Sequence, residues 1–412
     1  MEENYNQTFN NVGALEISSN HVKFAIGSFI DKKPVLCYFG QESIRGAVKD
    51  GVIVDPSTVK SAIANVLAKT DETLKLKVDV GSISLVLPPF GLTVYQSNQQ
   101  TNVVSEADLI DQLDITNAMR LVQKETVPQG TSIVDIVPDY YQIDNQKRFW
   151  NAPIGEKSKN LLICAKIHTL PDSLIRNYRM PIEESGLKIE RIAVAPFASC
   201  SLIATSKNMP HDYLLVDMGA HFTSVSMVGA NCLFASLSFA KGGDDLTETI
   251  ASSFSLSFEE AENLKIDYGF HENEGKFSEP LANSLGEDNQ KHDYFQTDLN
   301  HAISTYFSHT YNVLLSNAIN SLLEKSLTPL NKDFLPSLPI VFVGGASELY
   351  GLSKLISPAI GNHKAIFYRP TVLGAREAKY STLLGLIAAQ GDNRGRVDSL
   401  YRISARLSRT KN

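Results

Sequence analysis

The sequence has few cysteines, no long apolar run and a deficit of basic residues, and each shortage excludes a class of protein. Its 412 residues include four cysteines, which lie far apart with no CxxC pair and no histidine at metal-ligand spacing. Neither a disulfide framework nor a zinc site is expected. No stretch approaches the ~18–20 apolar residues of a membrane-spanning helix. The first residues, MEENYNQTFNN, are polar, so no signal peptide is expected.

The charge balance is acidic, with a formal net charge of −7. General nucleic-acid binders are usually basic, so no nucleic-acid partner is expected. A hydrophobic content of 43% and a charged content of 20% are ordinary for a soluble globular protein. The length predicts two or more domains. We therefore expect a multidomain protein that is cytosolic or lies on a membrane without crossing it.

Two segments share one pattern of apolar run, acid, small-residue turn and alternating strand. One is YLLVDMGAHFTSVSMVG, residues 213–229, and the other is ALEISSNHVKFAIG, residues 14–27. A constant offset of 201 aligns Glu16 with Asp217 and Ser18 with Gly219. Each segment predicts a β-hairpin. Together they indicate a duplicated α/β domain with a cleft between the halves; the alternative is a chance similarity of two hairpins.

Turns at the edge of such a cleft are suited to a nucleotide. Backbone N–H groups of a turn converge on an anion, and an acid at each strand end can hold Mg²⁺ through water. Glu16 and Asp217 are the metal-side candidates, and the alternative is that each acid caps its turn. The phosphate-binding candidates are Ser18, Ser19, Asn20, Gly219, Ala220, His221 and Thr223.

Two glycine pairs follow strand-like segments, in FAKGGDDL and in VFVGGAS. Glycine lets the backbone approach a flat ligand such as a nucleoside, although a plain strand-to-helix turn is the alternative. After the first pair, the segment EEAENLKIDYG places an acid and a lysine three residues apart, a spacing equally typical of a solvent-facing ion pair. The nucleoside-binding candidates are Gly242, Gly243, Glu262, Lys265, Gly344, Gly345 and Ala346.

The C-terminal segment GRVDSLYRISARLSRTKN, residues 395–412, is basic in an otherwise acidic chain. At 100° per residue it has an apolar stripe opposite arginines, as an interfacial helix on anionic lipid needs. The alternatives are a helix docked on the protein's own core and a disordered basic tail. The stripe is short, so a single copy should bind weakly, and avidity from several copies would strengthen the binding. The membrane-binding candidates are Val397, Leu400, Tyr401, Arg402, Ile403, Arg406, Leu407 and Arg409.

The ordered set of motifs resembles the actin/Hsp70/sugar-kinase ATPase superfamily. The motifs are LEISS near the N-terminus, VDMG, VGGAS and YSTLLGL. Four further segments resemble the bacterial cell-division protein FtsA, and with them the resemblance extends over nearly the whole chain. They are RGAVKDGVIVD, GLKIERIAVAPFAS, KGGDDLTETIA and AENLKIDYG.

The resemblance implies an actin-like α/β fold, with duplicated ribonuclease-H-type domains flanking a nucleotide cleft and an inserted small α+β domain. The implied divisions are a first subdomain (1A) at 12–83, 166–205 and 376–390; an SHS2-like insertion (1C) at 84–165; a second subdomain (2A) at 206–253 and 335–375; a smaller helical subdomain (2B) at 254–334; and a linker with a membrane-targeting helix at 391–412.

The resemblance also implies the function and the partners. The family binds ATP with Mg²⁺, polymerises, binds the C-terminal tail of FtsZ, and attaches it to the inner face of the cell membrane at the division septum. By resemblance the FtsZ-binding surface lies within 254–334. Anionic lipid, other copies of the chain and other division proteins are the further expected partners.

The two turns depart from the family pattern, which is rich in glycine. Ser18 stands at a usual glycine position, and only Gly219 and Thr223 are retained in the second turn. A left-handed backbone at Ala220 would not suit alanine, and His221 adds bulk beside the phosphate site. We therefore expect nucleotide binding with at most slow ATP hydrolysis, and no catalytic residue is assigned.

Two other functions compete with this one. A pilus-assembly ATPase-like relative can share the insertion, but a lipid-binding helix is not expected of it. An active phosphotransferase such as a sugar kinase would need a catalytic aspartate in its sugar-binding half, and it gains nothing from a basic amphipathic tail.

Overall fold

The computed structural model describes residues 12–31, 33–74, 82–144, 146–272, 279–285, 291–326 and 337–389. The predicted membrane-targeting helix within 391–412 lies outside the described residues. Among the helices that are described, none has the length and apolarity needed to cross a bilayer.

The described residues begin with the first predicted hairpin, which is followed by three further strands and a helix. Asp55 begins this helix, because its carboxylate accepts hydrogen bonds from the backbone N–H groups of Ser57 and Thr58. The elements are β1 Val12–Ile17, β2 His21–Ile30, β3 Lys33–Ser43, β4 Val48–Lys49, β5 Val52–Ile53, α1 Pro56–Leu74 and β6 Ser82–Leu87.

The next segment forms a four-stranded antiparallel sheet with one helix, in the strand order β7-β10-β8-β9. It has a hydrophobic core of its own around the helix, with Ile115 and Met119 fully buried. This composition is the α+β type predicted for the insertion. The elements are β7 Thr93–Asn102, α2 Gln112–Gln123, β8 Thr131–Ile143, β9 Arg148–Phe149 and β10 Asn160–Pro171.

The chain then returns to the first sheet and starts the second. The sequence predicts one long strand over 223–238, but the structure divides it at Ala230 and Asn231, where the backbone is left-handed with φ of 48° and 60°. Successive left-handed residues turn the chain back on itself. The elements are α3 Asp172–Glu184, β11 Lys188–Val194, α4 Ala195–Ile203, β12 Tyr213–Met218, β13 Thr223–Gly229, β14 Cys232–Phe239, α5 Gly243–Phe254 and α6 Phe258–Asp267.

The last part differs from the prediction in two places. Residues 270–295, predicted to be irregular, contain a β-hairpin. The helix predicted over about 299–325 is two α-helices joined by a π-helical turn, Phe307–Tyr311. The elements are β15 Ala282–Leu285, β16 Lys291–Tyr294, α7 Gln296–Tyr306, α8 Asn312–Ser326, β17 Ile340–Val343, α9 Leu352–Leu355, α10 Ser357–Ile360, β18 Ala365–Phe367 and α11 Ser381–Ala388.

The two large sheets repeat one topology. Their strand orders are β11-β6-β1-β2-β3 and β14-β13-β12-β17-β18. In each, an antiparallel hairpin (β1–β2 or β12–β13) lies beside a parallel strand (β6 or β17). The hairpin registers also agree, with Glu16 opposite Lys23 and Asp217 opposite Ser224 at the offset of 201. The predicted duplicated α/β fold is therefore confirmed, and a chance similarity of the hairpins is excluded.

The halves join at one end and separate at the other. Helices α4 and α11 pack together between the sheets, in a core that includes Leu202, Tyr213, Val341 and Leu384. Each half also has a hydrophobic core of its own. This arrangement leaves a cleft between the two hairpin turns.

Candidate functional site

The cleft encloses a cavity of about 480 Å³ that residues from both halves line. Both predicted metal-side acids and all seven predicted nucleoside-side residues line it. Of the predicted phosphate-side residues, five line it. The lining residues from the predicted set are Glu16, Ser18, Ser19, Asn20, Asp217, Gly219, Ala220, Gly242, Gly243, Glu262, Lys265, Gly344, Gly345 and Ala346.

Two predicted phosphate-side residues are placed elsewhere. Thr223 is fully buried, donates a hydrogen bond to the Lys241 carbonyl at 2.9 Å, and lies 2.9 Å from the Tyr311 hydroxyl. His221 contacts Asp244, which does line the cavity. The structure therefore gives Thr223 a packing role within the second half and connects His221 to the cleft through an acid.

The acid of the first hairpin is neutralised inside its own half. Lys23 Nζ lies 3.0 Å from Glu16 Oε1 and donates to the Lys379 carbonyl oxygen at 2.8 Å. Both side chains are buried, and the hairpin register places them directly opposite each other. The sequence analysis missed Lys23, although a lysine within the apolar alternation of HVKFAIG was a signal of a buried charge partner.

Among the described residues, the acid of the second hairpin forms no ion pair of this kind. The residue opposite Asp217 is Ser224. Burial, followed by the nearby Glu16 charge, raises the pKa of Asp217 to about 6, while Lys23 and a hydrogen bond from Thr382 act in the opposite direction. Ionising a carboxyl group in this environment costs free energy, and a nearby cation would offset that cost.

The two acids provide the oxygen ligands that a hard divalent cation prefers. Glu16 Oε2 is buried and has no hydrogen-bond partner in the structure, and Asp217 faces the same cavity. Within the described part of the chain, no group of three or more histidine, cysteine, aspartate or glutamate residues could enclose a metal. The residues present therefore fit a Mg²⁺ ion that keeps most of its water, and not an ion enclosed by protein ligands.

Gly344 lets the second glycine pair pass close to this acid. Its φ is +86°, and a Cβ there would lie 2.4 Å from Asp217 Oδ1 and 2.5 Å from the Met218 carbonyl oxygen. A side chain fits neither this backbone conformation nor this space. The residue is therefore required by the local structure whether or not a nucleoside binds.

The first glycine pair packs against the second turn. A Cβ at Gly242 would lie 2.4 Å from the Ala220 carbonyl oxygen. The N–H groups of Gly243 and Asp244 donate to the carbonyls of Gly219 and Ala220 at 3.0 and 2.9 Å. These first N–H groups of α5 are thus occupied by the turn itself.

The backbone of the second turn is not strained by its alanine. Ala220 is not among the described residues with a left-handed backbone. The sequence-based concern that alanine removes a needed positive φ is therefore wrong for this structure. Any effect of the altered turn has to come from its side chains.

The predicted pair on α6 is fixed against α5 and is not an open surface pair. Lys265 Nζ lies 2.7 Å from Glu262 Oε2 and donates to Thr247 Oγ1 at 2.7 Å and to the Gly243 carbonyl at 3.0 Å. The Lys265 side chain is only 11% exposed. It therefore supports the position of the first glycine pair.

An aromatic wall that the sequence analysis missed completes the second half of the cavity. Tyr306, Phe307 and Tyr311 line it. Tyr306 donates to the Gly242 carbonyl at 3.1 Å. Burial raises the pKa of Tyr306 and of Tyr311 far above the ordinary range, so both hydroxyls stay protonated. Aromatic rings of this kind are common walls of small-molecule sites.

One acid connects the two turns across the cleft. Asp244 Oδ2 accepts a hydrogen bond from Asn20 Nδ2 at 2.8 Å and lies 3.2 Å from His221 Nε2. Burial favours a raised pKa for Asp244, but the hydrogen bonds from His221 and Asn20 outweigh it and lower the pKa. The same contact raises the pKa of His221. Asp244 was not predicted as a site residue.

The sequence is similar to a known family. Residues 214–385 match the family model described as "Cell division protein FtsA". A protein of that name from Streptococcus pneumoniae is 24% identical over 82% of this chain and 71% of its own length. Another from Enterococcus faecalis is 24% identical over 90% of this chain and 82% of its own length.

Solved structures agree on the fold. A chain of the PilM-PilN type IV pilus biogenesis complex matches with a TM-score of 0.58 and 17% identity, over 92% of this chain and 98% of that one. MreB5 of Spiroplasma citri bound to AMPPNP matches with a TM-score of 0.53 and 11% identity, over 97% of this chain and 98% of that one. At these identities the similarity establishes an actin-like fold and nothing further.

Proposed function

We propose that this chain is a filament-forming adaptor of bacterial division. The premise is that it is a homologue of the FtsA family of cell division proteins. In this proposal it binds ATP in the cleft, polymerises on the inner face of the cell membrane, and tethers FtsZ filaments to the septum. The observation that supports it most is the pair of acid-ended hairpins facing one cavity, in a chain whose relatives are division proteins.

The nucleotide would bind between the two turns. Ser18, Ser19 and Asn20 on one side and Gly219 and Ala220 on the other would face its phosphates, with the glycine pairs and the aromatic wall on the nucleoside side. Glu16 and Asp217 would hold Mg²⁺ through water, and the ion would supply positive charge to the phosphates. The residues of this chain would mainly orient the nucleotide and exclude water.

We propose that the subdomain division follows the sheets and cores. The SHS2-like insertion, bounded from the sequence at 84–165, would be built on the sheet β7-β10-β8-β9 with its own core. Residues 84–87 of that range belong to β6 of the first sheet, and β10 continues beyond it to Pro171. The helices α6, α7 and α8 and the hairpin β15–β16 would form the smaller subdomain at 254–334. That subdomain is the proposed binding surface for the FtsZ tail.

The direct test of the division role is binding of a fluorescent FtsZ C-terminal peptide to the full chain, followed by anisotropy. A peptide of the same composition in scrambled order is the control. Saturable binding of the native peptide alone is the expected result. Equal signals from both peptides, or none from either, would contradict the adaptor function.

The membrane proposal is tested by co-sedimentation with anionic and neutral liposomes. The intact chain should sediment with anionic liposomes, and a chain ending at Gln390 should stay in the supernatant. A full-length variant with Arg402, Arg406 and Arg409 changed to alanine separates charge from length and should lose most of the binding. Binding that survives the truncation would refute the tether.

The nucleotide proposal is tested by calorimetry with ATP and Mg²⁺. We expect weak but measurable binding at millimolar nucleotide and slow turnover. Asp217→Asn should reduce the dependence of binding on Mg²⁺, because it removes one of the two acids. An intact chain that binds no ATP at millimolar concentration would refute this part alone.

A further inference from the structure

We propose that the cleft has a clasp, formed by Asn20, Asp244 and His221 with the ring pair Phe90–Phe222, that holds the two halves together without nucleotide. A nucleotide that enters between the turns must displace it. The second statement rests on the proposed nucleotide function, whereas the first concerns the ligand-free chain alone.

The hydrogen-bonded part of the clasp joins residues that are far apart in the chain. Asn20 belongs to the turn of β1–β2, and Asp244 belongs to the first turn of α5 in the other half. Their side chains meet at 2.8 Å, and His221 holds the same carboxylate oxygen from the turn of β12–β13. Hydrogen bonds to an ionised group are roughly twice as strong as neutral ones.

The aromatic part joins the halves beside that contact. Phe222, next to His221, packs edge-to-face on Phe90, with the ring centroids 4.7 Å apart. Phe90 follows β6 of the first half after Pro88 and Pro89. A third contact on the same side places the Arg45 guanidinium 4.2 Å above the Phe258 ring. Phe222 thus makes a contact across the cleft, and His221 supports the other one through Asp244 of its own half.

The clasp lies where the proposed ligand would lie. Asn20 and Asp244 both line the cavity. Asn20 is 7% exposed, and its amide oxygen has no hydrogen-bond partner in the part of the chain that the structure describes. There the side-chain amide is held through its nitrogen. A phosphate at the first turn would compete for that nitrogen, and the Asp244 carboxylate would repel it.

The energetic consequence is a reduced apparent affinity. When only a fraction of the molecules is open, the apparent dissociation constant rises by the inverse of that fraction. Opening the clasp by mutation should therefore tighten nucleotide binding, even though the mutation removes contacts. An ordinary loss of packing would have the opposite effect.

The first experiment measures the cleft without nucleotide. Spin labels at Lys49→Cys on β4 and Glu259→Cys on α6, both exposed, report the distance between the halves in a Cys37→Ser background. Asp244→Ala is compared with Glu248→Ala, an exposed acid one turn further along α5. We expect a single short distance in the parent and in Glu248→Ala, and a longer population in Asp244→Ala.

Phe90→Ala is the second variant, because it opens the aromatic part without changing any charge. It should also produce the longer population. If Asp244→Ala and Phe90→Ala both keep the parent distance, or if Glu248→Ala shifts it equally, the clasp is refuted. Circular dichroism of each variant establishes that the comparison is between folded chains.

The second experiment titrates ATP with Mg²⁺ into the same variants. Asp244→Ala and Phe90→Ala should both bind ATP about tenfold more tightly than the parent, as expected if about one parent molecule in ten is open. Glu248→Ala should match the parent. If Asp244→Ala alone binds ATP more tightly, the gain in affinity comes from removing charge repulsion. That result would overturn the statement that a nucleotide must displace the clasp. If no variant binds ATP while the distances shift, the clasp stands and the nucleotide proposal fails.

Discussion

The hairpins β1–β2 and β12–β13 have the same register but different residues opposite their acids. Glu16 faces Lys23, whereas Asp217 faces Ser224. The first half therefore pairs its carboxylate with a lysine on the facing strand, whereas the residue facing the second carboxylate is an uncharged serine. The two turns also differ in their side chains, since Ser19 corresponds to Ala220 and Asn20 to His221. The duplication preserved the backbone, and the chemistry of the two sides diverged.

The test of this comparison with the largest expected effect on stability removes the buried cation, Lys23. Lys23→Met leaves Glu16 buried without its partner, which typically costs about 3–5 kcal/mol of unfolding free energy. Ser224→Ala, at the matched position, should cost less than about 1 kcal/mol. Urea denaturation of the ligand-free chain measures both. Equal losses would mean that the two acids are in equivalent environments.

The second test concerns the backbone next to Asp217. Gly344→Ala should lower the unfolding free energy by about 1–3 kcal/mol, because its φ is +86° and the new Cβ would meet Asp217. Gly345→Ala is the control, since its nearest contact would be Lys379 Cβ at 3.5 Å, an ordinary distance. Thermal melts that rank the two variants equally would contradict the structure here.

The third test exchanges one turn residue for its counterpart, with His221→Asn. His221 is surrounded by Asp244, Asp245 and Glu248, which raise its pKa above the ordinary 6.5. Its contribution is therefore complete below pH 6.5 and is lost as the pH rises through the raised pKa. Asp244, held by Asn20 and His221 with Lys265 nearby, has a lowered pKa and stays ionised in this range.

We therefore expect the parent to lose about 0.5–1.5 kcal/mol of unfolding free energy, relative to His221→Asn, between pH 6 and 8. Urea denaturation across that range measures the difference. In the first turn, the pKa of His21 is lowered by burial and then by the charges of Lys23, Lys379 and Arg45. A constant difference across the range would show that His221 does not titrate in its contact with Asp244.

The smallest effect is expected on turnover. His221→Gly removes one member of the clasp and should raise ATP turnover a few-fold, less than about 1 kcal/mol in the barrier. Ala220→Gly should leave turnover unchanged, since Ala220 has no left-handed backbone to relieve. A rise in ATP turnover from Ala220→Gly alone would show that the turn has a second conformation.

The sequence predicted the duplicated hairpins because their signals are local. Alternation of apolar and polar residues and an acid before the turn are visible without any partner strand, and they identified Glu16 and Asp217. Lys23 was missed because its meaning depends on the register across the hairpin. Asp244 was missed because its partner Asn20 is 224 residues away in the chain.

The division between β13 and β14 was missed for a different reason. Hairpin turns of this kind are usually marked by glycine, and here the left-handed positions are Ala230 and Asn231. Asparagine tolerates this conformation, but alanine gives no signal of it. The surrounding ladder, which places Gly229 opposite Cys232, enforces the turn.

The π-helical turn between α7 and α8 sets the rotational phase of everything after it. The N–H group of Asn312 donates a hydrogen bond to the Phe307 carbonyl oxygen, five residues back. The turn therefore contains one more residue than a turn of an α-helix. Five residues close this turn instead of four, and the α-helical rotation of 100° per residue resumes in α8. The buried stripe of Leu315, Ile319 and Leu322 packs into the same core as Leu299 and Ile303. The spacing of this helix, and not only its composition, is thus part of what the chain encodes.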